Sequence, residues 1–574
     1  MDEKEKITYF AETDARNKRV KFGIKAEDRL RHIYSIGKTG MGKSTMLENM
    51  AIQDIQNGEG IAFLDPHGKT ADLLLDYIPE HRIKDVIYFA PFDTEFPISF
   101  NVMEDVGPER RHLVTSGLMS AFEKLFGEES FSDRMQYILQ NTILALLEYP
   151  GATMLGINKM LVDKAYRNNI IANISDPSVK NYWTKEYAGY TERFAAEAIP
   201  AIQNKIGQFT SNPLIRNIIG QTKSSFDIRK IMDEKKILIV NLSKGLVGEN
   251  NANLLGSMIV TKIYLAAMSR ADVSPRELKK LSNFYLYVDE FQSFANKSFA
   301  DILSEARKYK LSLNITHQYI EQMADEVRAA VFGNVGTMIA FRVGSFDAEV
   351  LEKEFAPVFT MEDIVNLGLY QIYLKLMIDG VASQPFSAVG LPPFPKPEVS
   401  FRDKVMEMSR KNYASPKIEV EKTIREWHES EATSSRPARL ASESVAGRQQ
   451  IVRAEKKVEP KYEQPRPKIS PQTPKSNSLA EIIKKATEVK TENKIPEQKK
   501  EIISLQELRY GEKNKNKEQS PENRSALKEA LKKLESEKAQ DASENKTEKK
   551  EEIKKEEKIK EVPEETLRKI LKGE

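Results

Sequence analysis

The sequence predicts an α/β protein built on a mostly parallel sheet. Three observations carry this expectation. Several short runs, among them 60–65, 236–242 and 284–288, are apolar without polar alternation, as in strands buried on both faces. Segments with apolar residues at helical spacing stand between such runs, the alternation expected of parallel strands joined by right-handed crossovers. One strand–helix junction, Gly37-Lys38-Thr39-Gly40-Met41-Gly42-Lys43-Ser44-Thr45, fits G-x-x-x-x-G-K-[ST].

The totals set the limits. With 574 residues the chain has room for several domains. Lys+Arg 88 against Asp+Glu 85 gives a net charge of +3, so any basic surface for nucleic acid is local. With no cysteine, disulfides, thiolate metal sites and cysteine nucleophiles are excluded. The six histidines are scattered and form no metal-ligand pattern. The N-terminus is charged and lacks an apolar h-region, and no segment reaches the ~18 apolar residues of a bilayer span. A soluble, cytoplasmic protein without direct membrane insertion is expected.

Taken in order, residues 7–24 read as two short strands around a polar turn, giving an N-terminal β segment over 1–30. The segment 31–36 is short and apolar enough for a strand, and 45–56 has helical spacing. The glycine-rich loop between them turns backbone N–H groups toward phosphate, and the helix start adds partial positive charge. Lys43 would reach the β- and γ-phosphates, and Ser44 would hold Mg²⁺. The strand at 60–65 ends in Asp65-Pro66-His67-Gly68, equally a polar site at a strand's carboxyl end or a turn that starts the next helix. Residues 86–90 close the first part of the core, 31–107.

From 108 to 222 strand-like runs stop, and apolar residues recur at helical spacing through 113–125, 135–147, 157–162, 165–174, 179–187 and 193–209. This predicts an all-α insertion between two parts of one sheet. The second part, 223–395, resumes with the strand at 236–242 and a long helix over 250–270. The run 284–290 then ends in Asp289 and Glu290. There Asp289 would bind the Mg²⁺ shell and Glu290 would orient and polarise the attacking water. The two halves are expected on neighbouring strands, enclosing a magnesium–triphosphate. A helix at 298–309 and strand at 311–316 follow. Gln318, at the tip of a strand beside that of Asp289, either senses γ-phosphate through water or serves as a turn residue. Helices at 324–331 and 347–355 alternate with strands at 336–341 and 371–376.

Past the proline-rich 392–397 the composition changes. A linker is expected over 396–458 and a charged, disordered tail over 459–574, too poor in apolar residues to offset ordering entropy. Four islands in the tail, at 478–486, 503–510, 526–534 and 565–571, carry apolar residues at helical spacing and either fold on a partner or stay transient.

In that order, the loop Gly37–Thr45, Asp65–Gly68, Phe100-Asn101, Val288–Gln292, Ser304–Tyr309 and Thr316–Gln318 resemble the HerA–FtsK class of P-loop ATPases. Within it they resemble above all the conjugative coupling-protein branch, of TraD/TraG type, which feeds DNA to type IV secretion systems. The resemblance covers about 20–395. It implies a RecA-like ATPase core with an inserted all-α domain, ATP and Mg²⁺ as ligands, and a homo-hexameric ring around DNA. It also implies that Arg307 completes a neighbour's site in trans and that Gln318 is the sensor. Coupling proteins anchored in the membrane carry N-terminal transmembrane helices, which this chain lacks. The resemblance therefore implies docking on a membrane-anchored secretion partner or relaxase-type protein through the tail, or a HerA-like role in repair. A nucleotide-gated scaffold that moves no DNA and a protein-moving secretion motor are the other readings. Lys244, after the strand at 236–242, is a candidate for tracking DNA phosphates, or simply solvated.

Overall fold

The computed structural model describes residues 6–14 and 18–430. The expected tail with its four islands, and the part of the linker beyond 430, lie outside the described residues.

Seven strands form the parallel part of the sheet: β3 (Ile33–Ile36), β4 (Gly60–Asp65), β5 (Val86–Phe89), β6 (Ile237–Asn241), β7 (Phe284–Val288), β8 (Leu311–His317) and β9 (Thr337–Ala340). Their spatial order is β9-β3-β8-β7-β4-β6-β5. Every residue in them is buried, because helices cover both faces. That is why β4, β6 and β7 read as apolar runs, while β8 buries Ser312, Asn314, Thr316 and His317 as well.

The sheet does not end at β9. Strand β10 (Gln371–Lys375) pairs antiparallel with it, Leu374 opposite Ile339. A small hairpin, β11 (Met377–Ile378) with β12 (Val381–Ala382), precedes β13 (Phe386–Gly390), which pairs with β10. The N-terminal strands β1 (Ile7–Thr13) and β2 (Lys21–Lys25) then extend the same sheet through β13, Ala11 opposite Gly390. Among the described residues this makes one sheet of eleven strands.

From residue 108 the connection from β5 to β6 carries helices and, among the described residues, no strand, with Arg111–Phe126, Asp133–Leu147, Leu155–Val162, Lys164–Asn173, Pro177–Asn181, Glu192–Thr210 and Pro213–Ile219 forming the insertion. Their starts follow from capping chemistry. Ser132, Asp163, Asp176 and Asn212 accept first-turn N–H groups, and Pro177 and Pro213 occupy first-turn positions that need no N–H donor. The helix expected at 179–187 is broken by a π-helical turn, Tyr182–Glu186, where Tyr182 and Trp183 are buried. The inserted helices share one continuous apolar core with a face of the sheet. The link is the helix Glu249–Met268, which packs on Arg111–Phe126. Gly117 permits the approach, since a Cβ there would lie 2.4 Å from Thr261 Cγ2. This core helix, as Glu249–Asp272, is also long and apolar enough to pass for a membrane span, with 72% of the window buried in the protein.

The stretch expected as a linker contains two helices before residue 430. Arg402–Tyr413 lies along the edge strand β5, where Tyr88 N donates to Ser409 Oγ at 2.9 Å and Val405 is buried. Covering an edge strand removes unpaired backbone groups from solvent. Lys417–Ser430 packs Val420 and Ile424 on Leu155 of the insertion. These apolar residues are sparse but keep helical spacing, which the surrounding charge obscures.

Candidate nucleotide site

The site forms at the carboxyl ends of β3, β7 and β8, where β3 hands over to the glycine-rich loop. Gly42 adopts φ 115 and starts the helix Lys43–Gln56 from a left-handed conformation. Gly37 has no room for a side chain, because a Cβ would stand 2.5 Å from Phe341 Cβ. The loop is pinned at one end by Gly37 N to His317 O (3.2 Å) and Lys38 N to Arg342 O (2.8 Å). Among the described residues, the N–H groups of Thr39, Gly40 and Gly42 find no protein acceptor. The first-turn N–H groups of Lys43, Ser44 and Thr45 have none within the helix by its geometry. Together they form an anion-binding concavity.

Lys43 is buried and turned back onto the loop, its Nζ donating to Gly37 O at 2.5 Å and Lys38 O at 3.2 Å. Burial pushes its pKa below the ordinary lysine range, with Glu290 and Asp289 acting the other way. Ser44 Oγ donates to Asp289 Oδ2 at 2.9 Å. Asp289 Oδ1 accepts from Thr316 Oγ1 and from Glu290 N. Glu290 follows with φ 48, a strained backbone for a non-glycine residue. Its carboxylate is held by two amides: Gln318 Nε2 on Oε1, and Gln292 Nε2 on Oε2 at 2.6 Å.

The structure therefore brings Lys43, Ser44, Asp289, Glu290 and Gln318 into one cleft. One detail differs from the sequence reading. Strands of the two halves do pair, β3 with β8 and β4 with β7, but the strand leading to Lys43 and the strand leading to Asp289 are not neighbours, because β8 lies between β3 and β7. Local periodicity carries no strand order, and the intervening strand brings its own residues, Thr316 and Gln318. Asp65 takes the turn-forming role: its buried carboxylate accepts from His67 N (2.8 Å) and Ala71 N (2.9 Å). Burial raises its pKa, and likewise that of nearby Glu48, whose Oε1 accepts from Thr70 Oγ1.

Arg307 is absent from this cleft. It sits in the turn Ala306–Tyr309, before the amino end of β8, and is exposed. Its charge acts instead on His32, at the amino end of β3. Among the described residues its guanidinium has no hydrogen bond or ion pair. Lys244 pairs with Glu249 at 3.0 Å. Gln292 and Thr316 stand within the motifs Val288–Gln292 and Thr316–Gln318, but the sequence alone assigned them no role. Gln292 stands two residues past Glu290, and Thr316 two before Gln318, so polar side chains flanking a suspected catalytic residue were the available signal.

The donor set suits a magnesium–triphosphate. A hydroxyl and a carboxylate already share a proton where a hard cation takes oxygen ligands. A buried ammonium rests on loop carbonyls beside unpaired N–H groups.

Among solved structures, the fold is similar to that of the plasmid coupling protein TrwB in complex with the non-hydrolysable GTP analogue GDPNP. The TM-score is 0.50 at 15% identity, covering 65% of this chain and 88% of that one. TrwB in complex with ADP and Mg²⁺ aligns with TM-score 0.49 at 16% identity, over 65% and 88%. VirB4 of Thermoanaerobacter pseudethanolicus aligns at 0.48 and 12%, over 68% and 97%. At these identities the likeness is one of fold, and it rests on the first. No family model and no curated protein matches the chain.

Proposed function

We propose that this chain is an ATP-hydrolysing motor of the conjugative coupling type, which assembles as a homo-hexameric ring and translocates DNA. The observation that carries the reading is the Ser44–Asp289 hydrogen bond, because it joins the two halves of a nucleotide-hydrolysing site across 245 residues of sequence. The fold likeness to TrwB, a protein solved with a GTP analogue, supports a nucleotide in this cleft.

When bound between Ser44 and Asp289, Mg²⁺ supplies positive charge to phosphate oxygens. The remaining work belongs to the chain. The N–H groups of Thr39, Gly40 and residues 42–45 cradle phosphate, and Lys43 leaves the loop carbonyls for the β- and γ-phosphates. Glu290 orients the attacking water and accepts its proton, its carboxylate held in place by Gln292 and Gln318. Arg307 of one subunit completes the neighbour's site, so hydrolysis follows ring geometry. The ring's inner loops track DNA phosphates by charge, without base readout. The protein acts in the cytoplasm or at the inner face of the membrane, docked on an anchored partner.

The test is steady-state ATP turnover with and without DNA. DNA-stimulated turnover is the expected result. Turnover unchanged by DNA would point to the nucleotide-gated scaffold, and dependence on a nuclease partner to a repair motor.

A further inference from the structure

Strand β7 ends at Val288, so the position of Glu290 depends on the segment that follows, 291–296. That segment is tied down from outside the sheet. Lys124, near the C-terminal end of the inserted helix Arg111–Phe126, donates its Nζ to the main-chain carbonyls of Gln292 and Ala295. The preceding residue, Glu123, pairs with Lys297 at 3.1 Å. From the core helix, Ser257 Oγ donates to Phe294 O at 3.0 Å, and the Phe294 ring lies against Gly256, where a Cβ would stand 2.2 Å away. Gln292 completes the path: its main-chain carbonyl is held by Lys124 and its side-chain amide holds Glu290.

A cavity of about 190 Å³ separates Ser120 and Glu123 on the helix from Asn296 and Met323. Both elements pack on the core helix, through Gly117 and through Gly256, and Lys124 adds a direct polar tie from the inserted helix to the backbone of the segment.

We infer that Lys124 is a positioning residue for Glu290, through which displacement of the inserted helices alters hydrolysis without altering nucleotide binding. The inference rests on the ATPase reading above. It adds a route by which whatever engages the insertion sets the turnover rate.

The clamp is also sensitive to pH. Lys124 is an exposed residue, and its pKa is lowered to about 7, by desolvation of the ammonium first and by the charge of Lys244 second. The other charged or titratable groups nearby are Glu123 and Lys297, paired with each other, and His317, whose own pKa Lys124 helps to lower. A rise in pH through about 7 removes the ammonium charge and weakens its hold on the two carbonyls.

The experiment compares full-length wild type, Lys124→Met and Lys124→Arg by ATP turnover, nucleotide affinity and amide hydrogen exchange. In Lys124→Met, kcat falls by about tenfold while nucleotide Kd stays within about twofold. Exchange rises in peptides covering 290–297 and not in those covering 37–45. Lys124→Arg recovers kcat to within about threefold and loses the alkaline fall in rate, because a guanidinium keeps its charge. Unchanged kcat and exchange in Lys124→Met would overturn the inference, as would equal losses of affinity, exchange protection and Tm across the protein. If wild type hydrolyses nothing, the ATPase reading fails by itself. The exchange measurement then decides the tether alone, with raised local exchange supporting it and unchanged exchange overturning it.

Discussion

Arg307→Ala offers a quantitative test of whether one subunit completes another's site. Arg307 precedes β8 at its amino end, while Gln318 and the rest of the cleft lie past its carboxyl end. Seven residues of strand, at ~3.3 Å each, place roughly 20 Å between the two edges of the sheet. No arginine side chain spans that, so Arg307 cannot serve its own chain's nucleotide. Loss of an arginine acting in trans costs about 10³-fold or more in kcat. Arg307→Ala and Glu290→Gln are thus each expected to be inactive alone, with nucleotide binding retained. Mixed in equal amounts and allowed to reassemble, half the subunits carry an intact cleft and half of those face an intact arginine. Roughly a quarter of the interfaces are then complete, and turnover should recover to about a quarter of wild type if interfaces act independently. The assay is ATP turnover of the mixture against each variant alone. A mixture no more active than its parts, or an Arg307→Ala protein with normal turnover, would refute the reasoning.

Other perturbations test the frame around the site. His32 is buried with Nδ1 accepting from Leu313 N at 3.1 Å and Nε2 on Leu303 O at 3.2 Å, an arrangement open only to the neutral ring. Burial lowers its pKa to about 4, with Arg307 adding to the effect. The unfolded chain therefore binds more protons below pH ~6.5, and stability is lost as pH falls through that value. At pH 5 the His32 share is about 2 kcal/mol, measured as the difference in urea unfolding between pH 7.5 and 5 and missing from His32→Asn. Arg29 and Asp54 form a buried bidentate pair at 2.8 and 2.9 Å, with Tyr287 bonded to both. Asp54→Ala strands the guanidinium and should cost about 3–5 kcal/mol, while Arg29→Met with Asp54→Ala should recover much of it. Thr316→Val removes the hydroxyl donated to Asp289. Its expected effect is a roughly tenfold higher Mg²⁺ concentration for half-maximal turnover, with unchanged Tm.

The parts of this fold legible in the sequence are those whose burial leaves a local signature. Strands β4, β6 and β7 are buried on both faces, so each is a continuous apolar run bounded by polar residues. Strand β13 is short and rich in small residues, with one of its five residues buried, and gave no such signal. The helices Arg402–Tyr413 and Lys417–Ser430 bury a few side chains each amid charge, and their composition hid them. Strand order was invisible for another reason: the placement of β8 between β3 and β7 depends on crossovers, not on any local pattern. The same division holds for the site. Lys43, Ser44, Asp289 and Glu290 stand at motif positions, so chemistry pointed to them. Thr316 and Lys124 act through contacts between elements far apart in sequence, which spacing cannot reveal, whereas Gln292 holds Glu290 from two residues away. Arg307 was legible only through family resemblance, because an exposed arginine before a strand has no signature of its own.

The account depends on one cleft in which Glu290 polarises water beside a triphosphate held by Lys43, Ser44 and Asp289. The most direct measurement is ATP binding and turnover for wild type and Glu290→Gln under identical Mg²⁺ conditions. The account predicts that Glu290→Gln binds ATP as wild type does and hydrolyses it at least about a hundredfold more slowly. A Glu290→Gln protein that turns ATP over at the wild-type rate would contradict it.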